Sequence, residues 1–250
     1  MASTSTGSPS ASSQRYVSGS VTRRPRRASG LVAHLQELHP QPHQGVCADA
    51  IASLEGISRD VLDALATESQ ARASRAIREG RFDRSLVSVH NLDGSLALDH
   101  AEFPRPSTTV ESLAALPPSF QSVADYRHTD EAPTYRELVA RKYPDLAIDH
   151  VHHAGNSSGV VDGAAAILIA SNDYAVAHGL HPRARIRATA NMGDDPTLML
   201  NAPVPAARKV LQKGLVLSDI DLFERRDLQF GLITMCAGGG MAPATIIERL

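Results

Sequence analysis

The second half of the 250-residue sequence alternates apolar, strand-like runs with short helix-like segments. The first run, residues 163–170, contains no polar side chain, which is typical of a strand covered on both faces. Further strand-like runs follow at 183–190, 219–223, 229–235 and 245–250. This alternation predicts an α/β fold in which helices cover a largely parallel sheet.

Two of these runs lie too close together for such a sheet. A parallel pair needs a crossover of at least about ten residues, but only residues 224–227 separate the runs at 219–223 and 228–235. The separating residues contain neither Asn-Gly nor Asp-Gly, the pairs that favour a tight hairpin. The sequence therefore predicts either an unusual turn or a missing connecting element at this junction.

The first half carries clear local signals. Ser58 is a good N-cap for a helix whose apolar positions follow i, i+3, i+4 spacing, and Gly80 is placed to end it. A turn at 91–94 joins two short strand-like runs and predicts a hairpin. Thr108 and Glu111 predict a capping box ahead of another helix.

The start of the chain differs in composition from the rest. Residues 1–41 are rich in Ser and Arg and contain no acidic residue before Glu37, which predicts a disordered tail. An organelle-targeting segment is the alternative. The whole chain has a net charge of −2, only two cysteines and no apolar run of about 20 residues. We therefore expect no nucleic-acid partner, no membrane partner and a reducing, cytoplasmic location.

Cys236 is followed closely by three glycines, residues 238–240. It is either a small buried hydrophobic residue at a strand end or a reactive thiol where free backbone N–H groups stabilise an oxyanion. A phosphate loop is not supported, because no Gly-x-Gly-x-x-Gly is present. His150 and His152 would share one strand face, but no Cys or carboxylate at ligand spacing joins them, so we expect no metal.

Several segments, taken in order, resemble the thiolase family of acetyl-CoA acetyltransferases and 3-ketoacyl-CoA thiolases. The resemblance covers about His43 to Leu250 and is specific because the segments occur together. The segments are ISRDVLDALATESQARASRAIREGRF (57–82), HAGNSSGVVDGAAAILIAS (153–171), APVPAARKVL (202–211) and MCAGGGMAPATIIERL (235–250).

The resemblance implies a partial version of the thiolase-like layered αβα fold. After the tail at 1–41, residues 42–158 correspond to the loop domain that holds coenzyme A. Residues 159–181 correspond to the last strand and helix of the N-terminal half. Residues 182–250 correspond to a truncated C-terminal domain.

The resemblance also implies a chemistry, acyl transfer through a cysteine thioester followed by Claisen condensation or its reverse, thiolysis. Acyl-CoA is the implied substrate, and no metal is involved. Cys236 matches the acid/base cysteine and Gly238 the glycine whose N–H serves an oxyanion hole. Ser158 matches the serine that contacts the pantetheine arm, and Arg105 the arginine at the nucleotide end. His43 matches a loop-domain histidine near the same cofactor.

The sequence departs from the family at its other catalytic residues. The region with the nucleophilic cysteine is replaced by the tail at 1–41, and no Asn-Glu-Ala-Phe or Gly-His-Pro motif occurs. The junction after Glu224 therefore resembles an internal deletion. We predict a thiolase-family acyltransferase chain that is inactive alone. The alternatives are a non-catalytic chain that binds coenzyme A or an intact homologue, as a homo- or hetero-oligomer, and a gene remnant that folds poorly.

Overall fold

The computed structural model describes residues 38–39, 41–220 and 229–250. Most of the predicted tail and the junction at 224–227 lie outside these residues. Seven α-helices are present in the described part: α1 Gln44–Glu55, α2 Arg59–Arg78, α3 Val110–Ala114, α4 Gln121–Ala124, α5 Tyr135–Lys142, α6 Asn172–Ala177 and α7 Pro203–Leu211. None of the described helices is long and apolar enough to cross a membrane.

The strands form two separate sheets. They are β1 Val89–His90, β2 Leu96–Leu98, β3 Ala184–Gly193, β4 Phe230–Thr234 and β5 Met241–Arg249. β1 and β2 form the predicted hairpin around the turn at 91–94. The other sheet has the order β3-β5-β4, and both of its strand pairs are antiparallel.

The helix-start predictions are confirmed at α2 and wrong by one residue at α3. The Ser58 hydroxyl accepts from the Val61 N–H, and the glycine at position 80 has a positive φ of 63° after the helix end. α3 is capped by Thr109 with Ser112 as the reciprocal partner. The Thr108 hydroxyl instead donates to the Arg105 carbonyl, in the turn before the helix.

The prediction of a largely parallel sheet is wrong for β3, β4 and β5. Only residues 235–240 connect β4 to β5, and so short a connection joins antiparallel neighbours. α7 packs on one face of the sheet through Ala206 and Val210, against Ala244 and Ile246 of the central strand β5. The result is a partial, layered α/β fold.

The prediction of a buried strand at 163–170 is also wrong. The segment has no regular secondary structure, and Ile167, Leu168 and Ile169 are 85%, 79% and 72% exposed. A strand needs a neighbour for its backbone N–H and C=O groups. In the part of the chain that the structure describes, no strand pairs with this segment.

A second core lies between α1, α4 and α5. Val46 and Ala50 of α1 pack with Ala124 and Val139, and Leu198 joins them from the loop after β3. The Cys47 thiol donates to the Thr197 carbonyl at 3.3 Å from the same side of α1. These contacts dock the loop after β3 onto α1, and so attach the C-terminal sheet to the first half of the chain.

Candidate functional site

Cys236 lies on the turn that joins β4 to β5, and its side chain is partly buried. The turn is closed by Ala237 and Met241, whose backbone N–H groups each donate to the other's carbonyl. Gly239 and Gly240 have φ values of 82° and 77°, a region that favours glycine. A Cβ at Gly238 would meet no atom within 4 Å, so the backbone beside the thiol is open to a ligand.

The far side of the turn is tightly packed. A Cβ at Gly240 would lie 2.8 Å from the carbonyl oxygens of Asp194 and Asp195. The Asp194 N–H donates to the Gly240 carbonyl at 2.7 Å. A Cβ at Gly239 would lie 3.6 Å from the Gln41 side-chain amide. The glycines therefore hold the Cys236 turn against the loop after β3.

Asp195 anchors that loop. Its carboxylate accepts from the Tyr143 hydroxyl at 2.6 Å, the Lys142 ammonium at 3.0 Å and the Thr197 N–H at 2.9 Å. Burial opposes ionisation of Asp195, but these donors outweigh burial and lower its pKa. Burial, together with the Asp195 carboxylate, raises the pKa of the Tyr143 hydroxyl. The backbone under the turn is thus fixed by a charged, hydrogen-bonded cluster.

Cys47 does not have the environment of a nucleophile. Its side chain is fully buried, and burial raises its pKa to about 12. The thiolate is the reactive form of cysteine. Cys47 is therefore a packed thiol held in its unreactive, protonated form.

The two thiols should consequently differ in reactivity. With a chromogenic disulfide reagent at about pH 8, near the ordinary pKa of a cysteine, we expect Cys236 to react in the native chain. Cys47 should react only after denaturation, because its thiol is buried and protonated. The variant Cys236→Ser is the control and should show no rapid reaction. Rapid labelling of that variant would contradict the assignment.

The structure brings Arg105 and Ser158 to the same surface. The Arg105 guanidinium lies over the Phe103 ring, 5.5 Å from its centroid. The same ring packs on Gly159 so closely that a Cβ there would overlap it. Ser158 precedes this glycine and is exposed, as is Arg105. The two residues predicted to contact coenzyme A are thus connected through one aromatic side chain.

His43 has a structural role at the start of α1. Its Nδ1 accepts from the Gly45 N–H at 3.1 Å, which caps the helix. Its ring contacts the rings of Phe120 and Tyr135, at centroid distances of 5.6 and 6.0 Å. Burial lowers the pKa of His43, so this residue is held as a neutral cap. Its part in binding coenzyme A stays a prediction.

Asp49 is a buried carboxylate that sequence reasoning missed. It is fully buried in α1 and accepts from Nδ1 of both His150 and His152 at 2.7 Å. It also accepts from the backbone N–H groups of Val151 and His152. Both histidines are therefore hydrogen-bonded to Asp49, and no group of His, Cys, Asp and Glu side chains among the described residues is arranged to hold a metal ion. A polar residue beside Val46 and Ala50 on a buried helix face was the available signal.

Asp63 is the second missed carboxylate, and it holds the loop that carries Ser158. Its Oδ1 accepts from His153 Nε2 at 2.8 Å and from Asn156 Nδ2 at 2.9 Å. Arg59, one helical turn earlier, contacts Asp63 at 3.5 Å. The Ser-Arg-x-x-x-Asp motif that opens α2 contains both residues and was the available signal.

The fold and the site together define a layered α/β protein that presents a thiol on a Cys-x-Gly turn. The chain belongs to the thiolase family. The family model described as "Thiolase, N-terminal domain" matches residues 3–126, so the match begins within the Ser- and Arg-rich segment. 3-Ketoacyl-CoA thiolases of Erwinia tasmaniensis and Citrobacter koseri are 34% and 33% identical, over 82% of this chain and 62% of theirs.

A solved structure agrees with this assignment. The acetyl-CoA acetyltransferase of Bacillus anthracis is 26% identical and superimposes with a TM-score of 0.66, over 84% of this chain and 61% of that chain. The chain therefore spans about three fifths of the relatives that it matches. The matches to the ketoacyl-CoA thiolases extend over 265 positions, more than the 250 residues of this chain. Within the matched region, those relatives thus contain residues that this chain lacks.

Proposed function

We propose that this chain binds the coenzyme A part of an acyl-CoA and does not by itself catalyse Claisen condensation or thiolysis. Family membership supports the substrate class, since the relatives are named 3-ketoacyl-CoA thiolase and acetyl-CoA acetyltransferase. The arrangement of Arg105, Phe103 and Ser158 carries the binding half of the proposal. The burial and raised pKa of Cys47, together with the partial burial of Cys236, support the proposal that the chain does not catalyse the reaction by itself.

The binding surface has the chemistry that coenzyme A requires. A guanidinium provides several N–H donors for phosphate oxygens, and Arg105 is exposed and oriented by the Phe103 ring. An exposed hydroxyl at Ser158 can bond the amides of the pantetheine arm. The Phe103 ring contacts the Arg105 guanidinium and Gly159, the neighbour of Ser158, and can offer an apolar surface to the arm.

The catalytic half of the proposal rests on the thiols. Thiolase chemistry uses one cysteine as nucleophile and a second as acid/base, and the resemblance places Cys236 in the second role. The open backbone at Gly238 suits the proposed oxyanion contact. Cys47 is buried with a raised pKa and cannot supply the first role. Loss of a nucleophile lowers turnover by several orders of magnitude, on the order of 10⁶ in a measured case.

Calorimetric titration with coenzyme A tests the binding proposal. We expect measurable binding that Arg105→Ala weakens by about tenfold, the effect of one charge-assisted contact. Arg72→Ala is the matched control, because it removes another exposed arginine, on α2. Absence of binding by the wild-type chain would exclude the proposal, as would equal affinities for the two variants.

Thiolysis of acetoacetyl-CoA, followed by loss of the enolate absorbance, tests the catalytic proposal. The 250-residue chain should give no turnover above the uncatalysed rate, and Cys236→Ala should not change that result. Clear turnover that this substitution abolishes would show that the chain is an active enzyme.

Partner binding is a second candidate function, favoured by the exposed apolar residues Ile167, Leu168 and Ile169. Contiguous exposed apolar side chains of this kind mark surfaces that bind other chains. A homo-oligomer, or a complex with an intact homologue, would cover them, whereas a gene remnant would aggregate. Light scattering on the purified chain distinguishes these outcomes. A cytoplasmic location and organelle targeting both stay predictions.

A further inference from the structure

We propose that Asp63 and Asn156 are positioning residues that hold loop 153–159 in the shape that presents Ser158 to a ligand. The inference rests on the proposed binding of coenzyme A, because Ser158 is one of its two proposed contacts. It adds two residues that do not themselves touch the ligand. Both residues lie in segments that resemble the thiolase family, at 57–82 and 153–171, and neither has a role in the proposed chemistry.

The loop is built around a buried carboxylate. Asp63 is 2% exposed, and one of its oxygens accepts from both His153 Nε2 and Asn156 Nδ2. His153 is fully buried, and its Nδ1 accepts from the Gly155 N–H at 3.1 Å. Because Nδ1 is an acceptor, Nε2 carries the proton that bonds Asp63. His153 is therefore a neutral, oriented donor.

Asn156 closes the loop on itself. Its Oδ1 accepts from the His153 N–H at 2.8 Å. Its Nδ2 donates to Asp63 and also to the Val151 carbonyl at 3.1 Å. The loop thus requires a side chain that accepts one hydrogen bond on one side and donates two on the other. Only an amide does both without carrying a charge.

Packing leaves the loop little room to adopt another shape. A Cβ at Gly155 would lie 2.9 Å from Leu116 Cδ1, and the Phe103 ring presses on Gly159. Arg59 donates to the carbonyls of Leu113 and Leu116 at 2.9 and 2.6 Å. The first turns of α2 therefore hold both the loop, through Asp63, and the chain segment beside it, through Arg59.

The substitution Asn156→Asp tests this role with almost no change of shape. Once ionised, the new carboxylate repels Asp63, and this repulsion raises the pKa of one of the two groups. The charged group that faces the pair is Arg59 on α2, and the His153 ring also bonds Asp63 from the loop. Once the new carboxyl is protonated, its single O–H can donate to Asp63 but not also to the Val151 carbonyl, so low pH should restore the loop in part.

The affinity for coenzyme A is measured by calorimetry at two pH values. The first, about pH 8, lies above the range in which such a carboxyl titrates, and the second, about pH 5.5, lies within it. At the higher pH, Asn156→Asp should bind more than about tenfold more weakly than wild type. At the lower pH the difference should shrink several-fold. Asn172→Asp, the same change at an exposed position of α6, should match wild type throughout. A wild-type affinity for Asn156→Asp at high pH, or a deficit independent of pH, would overturn the inference.

Hydrogen exchange separates this inference from the proposed function. Peptides covering 153–159 are compared between wild type and Asn156→Asp at each pH. Faster exchange in the variant at high pH, with recovery at low pH, supports the positioning role even if the wild-type chain binds no coenzyme A. In that case only the proposed function fails. Equal protection in the two proteins would reject the positioning role.

Discussion

Replacing Asp49 with alanine should lower the free energy of unfolding by about 3–5 kcal/mol, the range found when one partner of a buried charged cluster is removed. Asp49 accepts four hydrogen bonds, two from histidine rings and two from backbone N–H groups at 151 and 152. In the variant these buried and partly buried donors lose their acceptor. Each such loss costs about 1–3 kcal/mol, although the loop would relax and recover part of this.

Urea denaturation followed by circular dichroism measures the Asp49 effect. Asp60→Ala is the matched control, since Asp60 is exposed in the first turn of α2 and should contribute less than about 1 kcal/mol. Asp49→Asn should fall between the two, because its amide accepts on one side but presents N–H groups to a histidine donor on the other. An Asp49→Ala midpoint equal to that of Asp60→Ala would show that the cluster does not stabilise the fold.

The elements that could be predicted from sequence are those with local causes. The cap at Ser58, the turn at 91–94 and the extended runs that became β3, β4 and β5 all depend on residues near each other in the chain. The predicted strand at 163–170 failed because pairing depends on a neighbour elsewhere. The predicted strand direction was wrong because it depends on residues 235–240 forming a tight connection between β4 and β5, and the pattern of apolar runs does not indicate that connection.

The candidate site likewise contains features with local causes, which could be predicted, and features that depend on distant residues, which could not. The glycine turn after Cys236 is a local feature, and the sequence pointed to it. Asp49 and Asp63 were missed because their partners lie about a hundred and about ninety residues further along the chain. The proximity of Arg105 to Ser158 depends on Phe103 and Gly159, which are 56 positions apart in the sequence. Local patterns therefore identify single residues, whereas their grouping needs the fold.

Gly240→Ala should destabilise the chain by about 2–5 kcal/mol, the combined cost of a strained backbone and an overpacked contact. The φ of 77° is disfavoured for alanine. The new methyl would lie 2.8 Å from the carbonyl oxygens of Asp194 and Asp195, which are backbone atoms that cannot rotate away. Movement of that loop would also break the bond between the Asp194 N–H and the Gly240 carbonyl.

Gly238→Ala is the matched control, because nothing lies within 4 Å of its added Cβ and its φ is not positive. We expect a loss below about 1 kcal/mol for this variant. Thermal unfolding compares the two, and disulfide-reagent kinetics report the position of the Cys236 thiol. In Gly240→Ala the reaction rate of Cys236 should change together with stability, since the turn must leave the loop after β3. Equal effects of the two substitutions would mean that the turn is held only by β4 and β5, and that its contact with Asp194 and Asp195 does not place the thiol.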